Sequence, residues 1–142
     1  MEKLFADKNP NRQHNSRRDI VLWRVYRNQP SSSQVEKITI YEYTKSDQYG
    51  STPRIVKISD DRLIVLWQEF HTVLKVGDLR YVEIDGTGKM ISPIHRVPDV
   101  HLSNSRPIYF NHHIVWVSDI TVHSHWSKGV TERTFYAIPV KQ

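Results

Sequence analysis

An apolar, β-branched run carrying a tryptophan occurs three times in this 142-residue chain, and it limits the fold more than any other feature. The copies are Arg18-Asp19-Ile20-Val21-Leu22-Trp23, Arg62-Leu63-Ile64-Val65-Leu66-Trp67 and His112-His113-Ile114-Val115-Trp116-Val117. Each follows charged or polar turn residues, and its valine, isoleucine and tryptophan suit a pleated surface. The tryptophans recur at intervals of about 40–50 residues, a period that calls for a repeat architecture before any local assignment.

Between these runs the chain reads as strands throughout. Ile20 to Tyr26 and Lys37 to Thr44 are expected strands, the second apolar on both faces and so interior to a packed sheet. Asp47 to Gly50 reads as a turn, and Arg54 to Ile58 with Leu63 to Phe70 as a hairpin around Ser59-Asp60-Asp61. Pro53 fits just ahead of that hairpin, where no ladder donor is needed. Leu79 to Ile84 is a strand, Asp85-Gly86-Thr87-Gly88 a turn, and Lys89 to Ile94 a weaker strand broken by Pro93. His95 to Arg106 reads as irregular. Ile108 to Phe110 and Ile114 to Val117 form a hairpin around Asn111-His112-His113, and Thr134 to Val140 is the last strand. Asn9-Pro10-Asn11, Gln29 to Ser33 and Ser127-Lys128-Gly129 are turns or loops by composition. No window has capped helical periodicity. The fold class is all-β, with a polar segment over 1–17 and one repeat domain over 18–142.

The repeated unit is a strand, a tight turn, the tryptophan strand, a loop, a tyrosine-bearing strand and an Asp-x-x-Gly turn. The tyrosine strands are Ile38 to Tyr43, Leu79 to Ile84 and Thr134 to Ile138; the proline-led strands open at Pro53 and Pro107. Units of about 18–50, 53–106 and 107–140 result, a repeat of three or four strands as in β-propeller blades, although the first is shortened and lacks a clear fourth strand. The order Pro-x-Ile, polar turn, Ile-Val-x-Trp, loop, Tyr-x-x-Ile-Asp, turn, Gly-Lys resembles the degenerate blades of sialidase-like (BNR-type) bacterial propellers, from about Arg17 to Val140. The Asp85 turn departs from the family's Asp-box, having Glu83 where the family has serine and Met90 where it has tryptophan. The family's catalytic arginine cluster and tyrosine–glutamate pair have no counterpart here. The resemblance therefore implies a blade scaffold without glycosidase chemistry. Closed propellers use ~4–8 blades, so about three units imply a larger protein, copies that associate to complete a ring, or another closure. The competing closures are a β-trefoil, which needs only three repeats, and another β-barrel or a sandwich.

Composition narrows the function by exclusion. Without cysteine there are no disulfides, thiolate metal sites or cysteine nucleophiles. No apolar run reaches the ~18 residues of a membrane-spanning helix, and Met1 to Lys8 lacks the apolar core of a secretory signal, which leaves the compartment undetermined. The net charge is +5, but only Arg12, Arg17 and Arg18 cluster tightly, so nucleic acid is not an expected partner. No serine stands in a Gly-x-Ser-x-Gly elbow. Asp60-Asp61 reads as a solvated turn, and the Asp85 turn lacks the further ligands of a calcium loop and the helix of a Walker loop. No cofactor is implied.

Some residues remain as candidates. His123 and His125, two apart, would share one strand face as half a metal site with Asp119 as third ligand, while His112 and His113 lie in a turn that disfavours convergence. Glu42 and Glu83, at matched strand positions, would line a shared channel if the repeat forms a ring. Trp23, Trp67 and Trp116 read as core between sheets. Trp126, in the polar loop His123 to Lys128, with Tyr26 and Tyr49 near other loops, reads as a contact surface for a glycan or protein. The expected function is a non-enzymatic module for protein or glycan binding or scaffolding; the alternatives are a fragment of a propeller hydrolase and a trefoil lectin-like domain.

Overall fold

A computed structural model describes residues 18–26, 35–71, 77–102, 105–122 and 130–141. Ten strands run through them: β1 (Ile20–Val25), β2 (Val35–Tyr41), β3 (Gln48–Gly50), β4 (Arg54–Ser59), β5 (Arg62–His71), β6 (Leu79–Asp85), β7 (His95–Val97), β8 (Ile108–Phe110), β9 (His113–Val122) and β10 (Val130–Pro139). They make three antiparallel sheets. The first is β1–β2 and the third β8–β9–β10. In the central sheet β6 and β7 follow on one side of β5, while β4 and β3 share its other side in succession. Among the described residues no helix appears, and none is long and apolar enough to cross a membrane. The all-β reading holds. No sheet closes on itself, so the closed alternatives, trefoil and barrel, do not describe these residues.

The central tryptophan run sits where its composition requires. Leu66 and Trp67 are wholly buried and Ile64 and Val65 nearly so, because both faces of β5 are covered. Ile64 and Leu66 pack with Val56, Leu79, Ile114, Trp116 and Ile138 against the third sheet. Val65 and Trp67 pack on the other side with Ile20, Leu22 and Ile40 of the first sheet and with Tyr43 just past β2. Period-two alternation thus divides one ten-residue strand between two cores. The result is a three-layer stack with β5 at its centre.

The outer layers sit differently on the middle one. Arg62, at the start of β5, donates to the Lys141 carbonyl just past β10, whose last residue pairs with His113 at the start of β9. Further along, Trp116 donates to His101 O, and the neighbouring Leu102 N–H donates to Gln68. Strand β9 therefore runs with β5. Strand β1 runs against it: Gly50, paired with Glu69 near the end of β5, donates to Arg18 O, whereas Arg24 reaches Thr87 O beside the start of β5.

Several local expectations need correction. Gln48–Gly50 is strand β3: the turn, closed by the Gln48 N–H on Lys45 O, lies two residues earlier, and Gly50 packs so closely that an added Cβ would lie 2.6 Å from Ile20. Lys89 to Ile94 is not a strand. After the Asp85 turn only an isolated Ile84–Met90 bridge forms, and Pro93 contributes no donor. The edge strand is instead β7, within the stretch expected to be irregular. Asn111 and His112 alone make the 108–117 hairpin turn, both at positive φ (46° and 63°), while His113 already pairs with Phe110. Trp23 is not between sheets; it is half-buried on the outer face of the first sheet, with the Lys37 ammonium 6.0 Å from its ring centroid. The turns and loops expected at Asn9 to Asn11, Gln29 to Ser33 and Ser127 to Gly129 lie outside the described residues.

Candidate functional site

Among the described residues, the greatest concentration of buried polar chemistry lies where β5 leaves its apolar run, at Gln68 and Glu69, 5% and 2% exposed. Alternation sends them to opposite faces. Gln68 serves the third-sheet side, where its amide donates to Gly77 O (2.6 Å) and its carbonyl accepts the Leu102 N–H (2.9 Å). Glu69 serves the first-sheet side, accepting from Arg80 Nε at 2.6 Å and meeting His71 Nε2 at 3.1 Å. The Arg80 guanidinium also lies 5.3 Å from the Tyr41 ring centroid. Burial, which alone would push Arg80 down, is outweighed by Glu69's hydrogen bond and charge, so its pKa stands above the ordinary value. Gly77 is required here by close approach, since an added Cβ would lie 2.5 Å from Glu69 O.

A glutamate beside a histidine invites a general-base reading, which the geometry tests. Gln48 Nε2 lies 3.4 Å from His71 Nδ1, so the histidine's second nitrogen faces an amide and not a hydroxyl nucleophile. With Nε2–H donated to Glu69 and Nδ1 accepting from Gln48, both ring nitrogens are spent. The set fastens the end of β5 to β3, β6 and β2. The sequence did hold a signal for it: a Gln-Glu pair set between Trp67 and Phe70 in a buried strand demands buried partners.

Next to this cluster the Trp67 indole donates to Tyr43 Oη (2.9 Å), fixing the connection after β2 in the core between the first two sheets. Burial pushes the Tyr43 hydroxyl well above the usual tyrosine range, more than the hydrogen bond from Trp67 holds it down.

The residues singled out by sequence are dispersed. Glu83 stands in β6 with its carboxylate held by Arg62 through Nε (2.9 Å) and Nη2 (2.7 Å). Glu42 is exposed just beyond β2, and among the described residues no hydrogen bond or ion pair joins it to Glu83. Tyr49 is stacked on Phe70 (5.4 Å between centroids) and approached by Arg18 at 5.9 Å, so its ring already has aromatic and cationic company. Tyr26, 40% exposed, donates to Glu36 (2.9 Å) with Arg24 4.7 Å from its centroid. His113 Nδ1 is 2.8 Å from Asn111 O, and His112 faces Tyr109. Asp119 falls on β9 opposite Arg133. Trp126, His123 and His125 lie outside the described residues. Among the described residues no three His, Asp or Glu side chains are grouped as metal ligands.

The Asp85 turn uses its carboxylate internally. Asp85 Oδ1 accepts from Thr87 Oγ1 (2.6 Å), Thr87 N (2.8 Å) and Lys89 N (3.0 Å). The Thr87 hydroxyl is the main cause of a carboxyl pKa below the usual aspartate value; burial, the next in size, opposes it, and the two N–H groups and Lys89's charge add to the lowering. Comparison of the chain with protein-family models, with curated proteins and with solved structures finds no match.

Proposed function

We propose that this chain is a non-enzymatic, β-propeller-type repeat module that serves as a protein-binding or scaffolding surface. The observation that carries the reading is where the reactive groups have gone. Glu69, His71, Glu83 and Asp85 each bind another group of the same chain, while Ile108, Phe110 and Phe135 stand exposed on the outermost sheet. Polar chemistry holds the layers together, and apolar surface faces outward. Blade-like stacking is supported by the second and third sheets, where the Trp116 face of one meets the Ile64–Leu66 face of the other with β9 and β5 parallel.

A glycan is the second partner class, and Trp126 is the residue that favours it. Peptides selected from a displayed library against the immobilised chain are expected to be apolar and to lose binding to the Phe110→Asp variant. A glycan array that binds the chain, with Trp126→Ala abolishing the signal, would establish the sugar reading instead. Hydrolysis of glycosides by the chain would restore the alternative of a propeller hydrolase fragment.

A further inference from the structure

The third sheet has two apolar faces and covers only one of them. Along β9, Ile114 and Trp116 face the central sheet, and along β10 so do Tyr136 and Ile138. The intervening residues form the outer face: Ile108 and Ala137 flank Val115, Phe110 and Pro139 flank His113, and Phe135 lies opposite Val117. Phe135 is 79% exposed, Phe110 67% and Ile108 57%. An antiparallel sheet with one face in water ordinarily alternates apolar with polar residues. The first sheet does so in part, setting Lys37 and Thr39 opposite Trp23 and Val21 on its outer face. The third sheet instead sets Ile108, Phe110, Val115, Val117, Phe135, Ala137 and Pro139 on its outer face, with His113 and Arg133 polar residues along it.

We infer that the outer face of β8–β9–β10 packs against the same face of a second copy of this chain, across a two-fold axis. The inference rests on the protein-binding reading above and names the partner. At about 200 Å² per aromatic side chain, Phe110 and Phe135 alone offer roughly 300 Å² per copy. Ile108, Val115, Ala137 and Pro139 enlarge the same continuous face toward the ~500 Å² per copy that a specific interface of about 1,000 Å² needs. A second copy supplies a face of identical shape and apolarity, and two-fold self-association is the commonest way such a face is closed. Sheet-on-sheet packing at about 10 Å, as in other layered β proteins, is the geometry that would result.

The test is the mass of the full chain in solution, by sedimentation equilibrium, for wild type and three variants. Wild type is expected as a particle of two 16.8 kDa chains. Phe135→Asp and, separately, Phe110→Asp are expected as single chains with unchanged far-UV circular dichroism. Val25→Asp, on the opposite end of the stack, is expected to stay a dimer. A wild-type monomer at all concentrations tested, a dimer that survives both phenylalanine substitutions, or dissociation by Val25→Asp would each overturn the inference. Peptide selection on monomeric protein still decides the broader protein-binding reading by itself.

Discussion

The two internal interfaces of the stack use polar groups in different ways. On the central sheet's face toward the first, side chain binds side chain, Trp67 to Tyr43 and, within the central sheet itself, Glu69 to Arg80 and His71, while Arg24 on Thr87 O and Gly50 on Arg18 O cross between the layers at the two ends. On its face toward the third sheet apolar packing dominates, and polar side chains mostly hold backbone, Gln68 on Leu102 and Gly77, Trp116 on His101 and Arg62 on Lys141, with Arg62–Glu83 the side-chain pair at the start of β5. The contrast follows from orientation. Where β9 runs parallel to β5, apolar face meets apolar face and only the connecting loop requires fastening. Where β1 runs against β5, the cover ends near Trp67, and buried ionic groups complete it. An interface of paired side chains should be the more sensitive to losing one member, because the partner is left buried without compensation.

The largest expected effect is therefore at Glu69. Glu69→Ala strands Arg80 beneath the Tyr41 ring and removes the acceptor of His71, and it should cost about 3–5 kcal/mol, the usual loss when one member of a buried pair is deleted. Urea denaturation measures it as a lowered midpoint at unchanged slope. Gln68→Ala, one residue away on the opposite face, leaves two backbone groups unsatisfied and should cost about 1–3 kcal/mol. Equal losses at the two positions would erase the distinction between the interfaces.

What the sequence revealed tracks the range of the forces involved. The β5 run was legible because a strand covered on both faces must be apolar at every step, and residues 63–67 are. The Asp85 turn was legible because its bonds are local and its Gly88 takes φ of 90°. The matching Asp47-x-x-Gly50 spelling misled: Gly50 serves close packing against Ile20, Tyr43 and Trp67, a long-range demand that local spelling cannot express. The direction of β1 was hidden for the same reason, since composition places a strand in a core without fixing which way it runs. The Glu69–Arg80 pair joins strands through a register set only once β5 and β6 align. Glu42 and Glu83 matched in sequence, yet Arg62 alone separates their roles by pairing with Glu83.

A smaller effect isolates the hydrogen bond between the first two layers. Tyr43→Phe keeps the ring and leaves the Trp67 indole without its acceptor, for a loss of about 1–2 kcal/mol by thermal denaturation at neutral pH. The substitution also has a pH signature. Because burial raises the native pKa of Tyr43 above its unfolded value near ~10, its contribution is complete below that pH and is lost as pH rises beyond it, when the unfolded chain ionises first. Wild type should lose stability above about pH 10 more steeply than Tyr43→Phe. Parallel alkaline curves would place that sensitivity elsewhere.

The smallest effect belongs to the exposed turn that meets the first sheet from the central one. Gly88 lies against Leu22 and Ile38, so the geometry of the Asp85 turn helps seat β1 and β2. Its native carboxyl is held below the usual aspartate value, chiefly by Thr87, so its contribution is present above the unfolded pKa of ~3.9 and lost as pH falls through the native one. Asp85→Asn keeps an oxygen acceptor of the same shape and removes the titration. Melting temperatures between pH 5 and 2 should fall less steeply in Asp85→Asn than in wild type. The comparison with Asp60→Asn sharpens the point, since Asp60 is lowered only through the exposed Lys57 and salt should screen that pair away. If high salt flattens the Asp85 contribution equally, the carboxylate is held by Lys89's charge and not by the fixed hydroxyl and N–H donors of its own turn.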